Sequence, residues 1–171
     1  MKLVLTEDQY AKAEEIGRQR QQAALDKKRP SAHGYDESAP LKVHIQGASA
    51  ELGVSLITGK EWHAYLEDLG GERKPPDVGD GLQVRSTDYR SGHLLVHPSD
   101  NDQDVFILVV VSGRNLEIKG WMTGGEAKDE KYWGDKFRNG RPAYWVPQRD
   151  LKPFKSLLET IPGAPFGEVK Q

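Results

Sequence analysis

A mixed α and β domain, with a sheet of about four to five strands flanked by helices, is predicted by three features of this sequence. Helix-forming residues run without proline from Glu7 to Lys28. After Lys74-Pro75-Pro76 the apolar spacing changes from helical to alternating. The unbroken apolar run Val105 to Val111 then has the composition of a strand buried on both faces.

The first helix opens on a capping box, Thr6 with Gln9 three residues on. Its apolar positions, Tyr10, Ala13, Ile16, Ala23, Ala24 and Leu25, are sparse and small, so residues 1–29 read as an accessory helix lying on the domain or against a partner. Pro30 to Pro40 reads as a loop, followed by the short alternation Val43-His44-Ile45 and a helix from Gly47 to Ile57. Ala48, Leu52 and Leu56 share the apolar stripe of that helix, with Glu51 at its edge. A second short helix is expected over Lys60 to Leu69, ending at Gly70-Gly71.

The sheet then begins. Leu82 and Val84 alternate with Gln83 and Arg85, a turn at Asp88 to Gly92 leads into His93 to His97, and Asp100-Asn101-Asp102 turns into Val105 to Val111. Ser112-Gly113-Arg114-Asn115 returns the chain into Leu116 to Trp121. These four strands are expected in meander order, as parts of one α/β domain spanning residues 41–161. A last helix falls near Leu151 to Leu158, and residues 162–171 read as a tail.

Composition narrows the chemistry. The chain has 171 residues, 36% of them hydrophobic, which suits one core rather than two. No apolar stretch is long enough to cross a bilayer, and Met1 to Leu5 gives way at once to Thr6-Glu7-Asp8, unlike a signal peptide. A cytoplasmic protein with no membrane association is expected. The absence of cysteine removes thiolate metal sites and thiol nucleophiles, so a metal would need oxygen or imidazole ligands. A net charge of -2 leaves room for a local basic face but not for bulk coating of nucleic acid.

The order of a helix bearing Glu51, a break, Asp77-Val78-Gly79-Asp80 and the strand Leu82-Gln83-Val84-Arg85-Ser86 resembles the core of the PD-(D/E)XK nuclease superfamily. Pro76-Asp77 stands as the PD, and Gln83-Val84-Arg85 as a divergent Q-x-R form of the (D/E)XK. The resemblance covers residues 43–121 and implies a restriction-endonuclease-like mixed sheet that holds Mg2+ or Mn2+. Glu51, Asp77, Asp80 and Gln83 would be the metal ligands. Glu51, Asp77, Gln83 and Arg85 would be the catalytic set, with Arg85 stabilising phosphate. Gln83 supplies a neutral carbonyl where the motif has a carboxylate, and Arg85 stays protonated where lysine can lose its proton. A second register within the same fold joins Asp104 to Glu117-Ile118-Lys119, an E-x-K on one strand.

The resemblance implies a divalent-metal-dependent nuclease acting on DNA phosphodiester bonds. The alternative is a non-catalytic adaptor or inhibitor of the same fold that binds a protein or nucleic acid, or a second copy of itself, through the first helix or the tryptophan-rich C-terminal third. Candidate nucleic-acid contacts are Lys74, Arg90, Lys128, Lys131, Arg138 and Arg141. Several of these alternate with Trp121, Trp133, Tyr144 and Trp145, a mixture used by single-strand binders.

Overall fold

Both faces of the apolar run need cover, and the chain supplies it with helices on one side and a second sheet on the other. The structure is a computed structural model and describes residues 1–26, 40–66 and 75–164. The expected loop up to Pro40, the Gly70-Gly71 stop, Lys74 and residues 165–171 of the tail lie outside the described residues. The elements are β1 (Lys2–Val4), α1 (Glu7–Asp26), α2 (Pro40–Thr58), β2 (Leu82–Thr87), β3 (Leu94–Val96), β4 (Val105–Ser112), β5 (Asn115–Thr123), α3 (Gly124–Ala127), β6 (Trp133–Gly134), β7 (Ala143–Val146) and α4 (Phe154–Leu158). The class is α+β. A four-stranded mixed sheet has the order β1-β5-β4-β2, and a three-stranded antiparallel sheet has the order β3-β7-β6.

The strand order differs from a meander. β2 runs parallel to β4, with Val84 opposite Ile107, while β3 leaves for the second sheet. The composition of β4 explains this. Ile107, Val109 and Val111 join Ala50, Val54 and Ile57 of α2 and Phe154, Leu157 and Leu158 of α4 in the main core. Phe106 and Leu108 point the other way, where Leu94, Val96 and Val146 cover them. A meander would have left Phe106 and Leu108 in water; a second layer buries them.

β5 changes faces along its length. The register slips between Leu108 and Val109, opposite Ile118 and Gly120, so Lys119 is the extra residue of a β-bulge. Before it, Leu116 and Ile118 face the helices; beyond it Met122 joins the second core and Trp121 turns toward α4.

The N-terminus is built into the fold rather than appended. Lys2–Val4 pairs antiparallel with β5, and Leu5 is 0% exposed in the main core. The capping box forms as expected, Thr6 N–H donating to Gln9 Oε1 at 2.9 Å and Gln9 N–H to Thr6 Oγ1 at 3.2 Å. Ala13 and Gly17 are buried, and a side chain at Gly17 would come within 2.7 Å of the Ile45 backbone. Small residues thus allow α1 and α2 into close contact, which makes α1 part of the packing rather than an accessory.

Two local expectations are corrected by the same tertiary packing. Val43-His44-Ile45 lies inside α2, because Ile45 packs on Gly17 and this contact overrides its strand preference. Residues 60–66 are not helical: Trp62 forms an antiparallel bridge with Val78, and Ala64 has a φ of 50°. No helix among the described residues is long and apolar enough to cross a membrane.

Candidate functional site

Glu51 lies on α2 beside the stripe that packs on the sheet, and it is buried. Both carboxylate oxygens are engaged. Arg20 of α1 donates from Nη1 to Oε1 at 2.9 Å and from Nη2 to Oε2 at 2.8 Å, a bidentate fork. Trp62 Nε1 donates to Oε2 at 2.9 Å. Arg20 is fixed in turn by donating from Nε to the Tyr65 carbonyl at 2.7 Å. Burial pushes the Glu51 pKa up; the Arg20 hydrogen bonds oppose this, and the nearby Asp77 carboxylate adds to it.

Asp77 is buried at the outer edge of β2, where its Oδ2 accepts from the Val84 N–H at 2.8 Å. Its main chain closes the turn before the strand, its N–H donating to the Leu82 carbonyl at 3.0 Å and its carbonyl accepting from the His63 N–H at 3.2 Å. Gly79, with φ of 55°, turns the chain in a conformation few other residues adopt. Asp80 is exposed in that turn.

Gln83 faces away from this pair. Alternation along β2 sends Leu82 and Val84 toward α2 and Gln83 and Arg85 toward the second sheet. Gln83 is 1% exposed, and its Nε2 donates to Asp104 Oδ2 at 3.0 Å and to the Pro75 carbonyl at 3.3 Å. Among the described residues its Oε1 finds no hydrogen-bond partner. Arg85 donates from Nε to the Leu95 carbonyl at 3.1 Å and from Nη2 to Asp100 Oδ2 at 3.0 Å, with its guanidinium 5.0 Å from the Phe106 ring centre. Its charge ties the two sheets together rather than facing an open cleft.

The expected quartet therefore divides. Glu51 and Asp77 lie together on the helix side, Gln83 is on the opposite face, and Asp80 is in solvent. A divalent metal needs several oxygens converging on one point. The Glu51 oxygens already accept from Arg20 and Trp62, and the Gln83 amide nitrogen is committed to Asp104, so these residues as arranged do not fit the metal that the nuclease motif implies. Among the described residues, no three His, Asp or Glu side chains are grouped as a ligand set. The second register separates as well. Asp104 precedes β4, whereas Glu117 pairs with Val110 near its far end, about 20 Å along the strand. Glu117 instead accepts from Lys119 Nζ at 2.9 Å, a contact that holds its pKa down.

The cationic candidates fare differently. Arg90, Lys131, Arg138 and Arg141 are exposed. Lys128 is drawn into an ion pair with Asp102 at 2.6 Å and bonds the Asp100 carbonyl, so it locks a turn. Lys131 lies on the rim of a cavity of about 350 Å³ lined by His93, Tyr132, Trp133, Lys136, Trp145 and Arg149 among others. Arg149 and His93 escape the sequence reading, since residues far apart in the chain reach this cavity only through β3-β7-β6 pairing. Arg20 escapes it too, although the spacing Ala13, Gly17, Arg20 marks one helix face and was the available signal.

Comparison with protein-family models, curated proteins and solved structures found no match to this chain.

Proposed function

We propose that this chain is a non-catalytic, cytoplasmic nucleic-acid-binding protein, in which the carboxylates of a nuclease-like motif serve structure. The observation that carries this reading is the separation of Glu51 and Asp77 from Gln83 by the sheet itself. Hydrolysis of a phosphodiester needs the activating and stabilising groups around one reacting atom. Here Arg20 neutralises Glu51, and Asp100 neutralises Arg85. Support for nucleic acid as the partner comes from the exposure of the cations Arg90, Lys131, Arg138 and Arg141 and of the aromatic residues Trp133 and Phe137.

The test is a mobility-shift titration with single-stranded and duplex DNA, run beside a plasmid-cleavage assay in magnesium and in manganese. The expected result is retarded DNA and an intact plasmid. The Asp77 carboxylate that acts on Glu51 favours the hydrolytic reading, and nicking that disappears in Asp77→Ala would establish it.

A further inference from the structure

The cavity on the second sheet combines two things that rarely meet by packing alone, a rigid aromatic wall and an excess of cations over anions. Trp133 of β6 is 45% exposed and stands at 4.8 Å from the Tyr144 ring across the β6-β7 pair. Trp145 is held in place because its Nε1 donates to the Gly134 carbonyl at 3.0 Å and Phe137 meets its ring edge-on at 5.4 Å. Lys136 Nζ sits 5.4 Å from the Trp145 ring centre. The Trp145 indole is thus preorganised, so a ring stacking on it orders little else.

The charges lining this wall are Lys131, Lys136 and Arg149 against the carboxylate of Asp150, which already accepts from the Tyr132 hydroxyl at 2.9 Å and lies 3.9 Å from Arg149. Lys131 also lies 4.0 Å from Asp129, so the two carboxylates are matched by Lys131 and Arg149 and the surplus positive charge rests on Lys136. Burial lowers the His93 pKa, and both Lys136 and Arg149 push it further down. Two cations acting on one imidazole mark the place where positive potential converges. Burial also lowers the Lys136 pKa, so an entering anion would relieve the cost of holding that ammonium.

We propose that this cavity takes one nucleotide unit of a single strand, its base against Trp145 and its phosphate between Lys136 and Arg149. The proposal rests on the nucleic-acid reading above and names its site. The volume of about 350 Å³ falls at the small end of ligand pockets, which suits one nucleotide and not a duplex.

The test uses the full chain, with intrinsic tryptophan fluorescence as readout. The ligands are thymidine monophosphate, a single-stranded oligothymidylate, and an abasic deoxyribose-phosphate oligomer of the same length. Oligothymidylate should quench the fluorescence and bind about fivefold or more tightly than the abasic oligomer, the stacked base making the difference. Lys136→Gln with Arg149→Gln, two exposed changes, should weaken it about tenfold while leaving the melting temperature unchanged. Trp145→Phe should remove much of the quench. Oligonucleotide binding unaffected by these substitutions would overturn the pocket and leave DNA binding standing. Quenching by thymidine monophosphate without any oligonucleotide binding would sustain the pocket and overturn the DNA reading. Binding of neither would overturn both.

Discussion

Arg20 and Glu51 are the pair on which the reading of the motif turns, and their energetics can be tested apart from any activity. Removing one partner of a buried bidentate pair strands the other, so Arg20→Met should cost about 3 kcal/mol in urea unfolding, and Arg20→Met with Glu51→Met should recover much of the loss. The pH dependence has a definite sign. The folded pKa of Glu51 is raised, so its contribution to stability is complete below the unfolded carboxylate pKa and is lost as pH rises through the folded value. Glu51→Gln should remove that loss, and the gap between the two urea midpoints should change across this window and then level off. Gln83→Glu is the complementary case. It would place a second carboxylate against Asp104, where Nε2 now donates at 3.0 Å, and should destabilise by about 2 kcal/mol at pH 7, recovering as pH falls and the two share a proton. An unchanged urea midpoint at pH 7 would show that the introduced carboxylate finds another partner. Of the residues named from the sequence, Glu51, Asp77, Gln83 and Asp104 are buried polar groups and Asp80 is exposed, and burial itself was not legible in the motif. The sequence did not reveal their partners, because Arg20, Trp62 and Pro75 reach them through helix packing and turns.

Among the elements, those with strong periodicity were legible and those defined by contact were not. The buried character of β4 follows from seven consecutive apolar residues, Val105 to Val111, and the capping box of α1 from Thr6 and Gln9. The three-residue β1 and the two-residue β6 carry no pattern of their own and exist by pairing with β5 and β7. Whether β2 runs parallel or antiparallel to β4 is equally invisible, because the alternation reads the same in both directions. The sparse apolar face of α1 lies on the domain, where Ala13 and Gly17 bury little area individually but permit close helix approach. Gly17→Ala should therefore destabilise by about 2 kcal/mol, since its methyl group would meet the Ile45 backbone. Deleting residues 1–26 should abolish cooperative thermal unfolding, as it removes β1, Leu5 and the cation beside Glu51. A sharp melting transition in the truncated protein would restore the accessory reading of this helix.

For the whole molecule, the two-layer arrangement of the sheets decides what the surface offers. Covering Phe106 and Leu108 with β3 and β7 turns Trp145 and the neighbouring cations outward at one end of the second sheet. That face exists because β4 is apolar on both sides. Its charge is local, consistent with a chain whose net charge is only -2. On the function proposed above, this face binds single-stranded nucleic acid through a few phosphate contacts and aromatic stacking, without cleavage. The most direct measurement is the salt dependence of oligothymidylate binding by fluorescence anisotropy, with the oligonucleotide length checked at the end of each titration. Neutralisation of phosphate by Lys136 and Arg149 predicts a log–log slope of about -1.4, a slope reduced in Lys136→Gln, and an oligonucleotide recovered at full length. Binding that is absent, or independent of salt, or accompanied by shortening of the strand in magnesium would contradict the account.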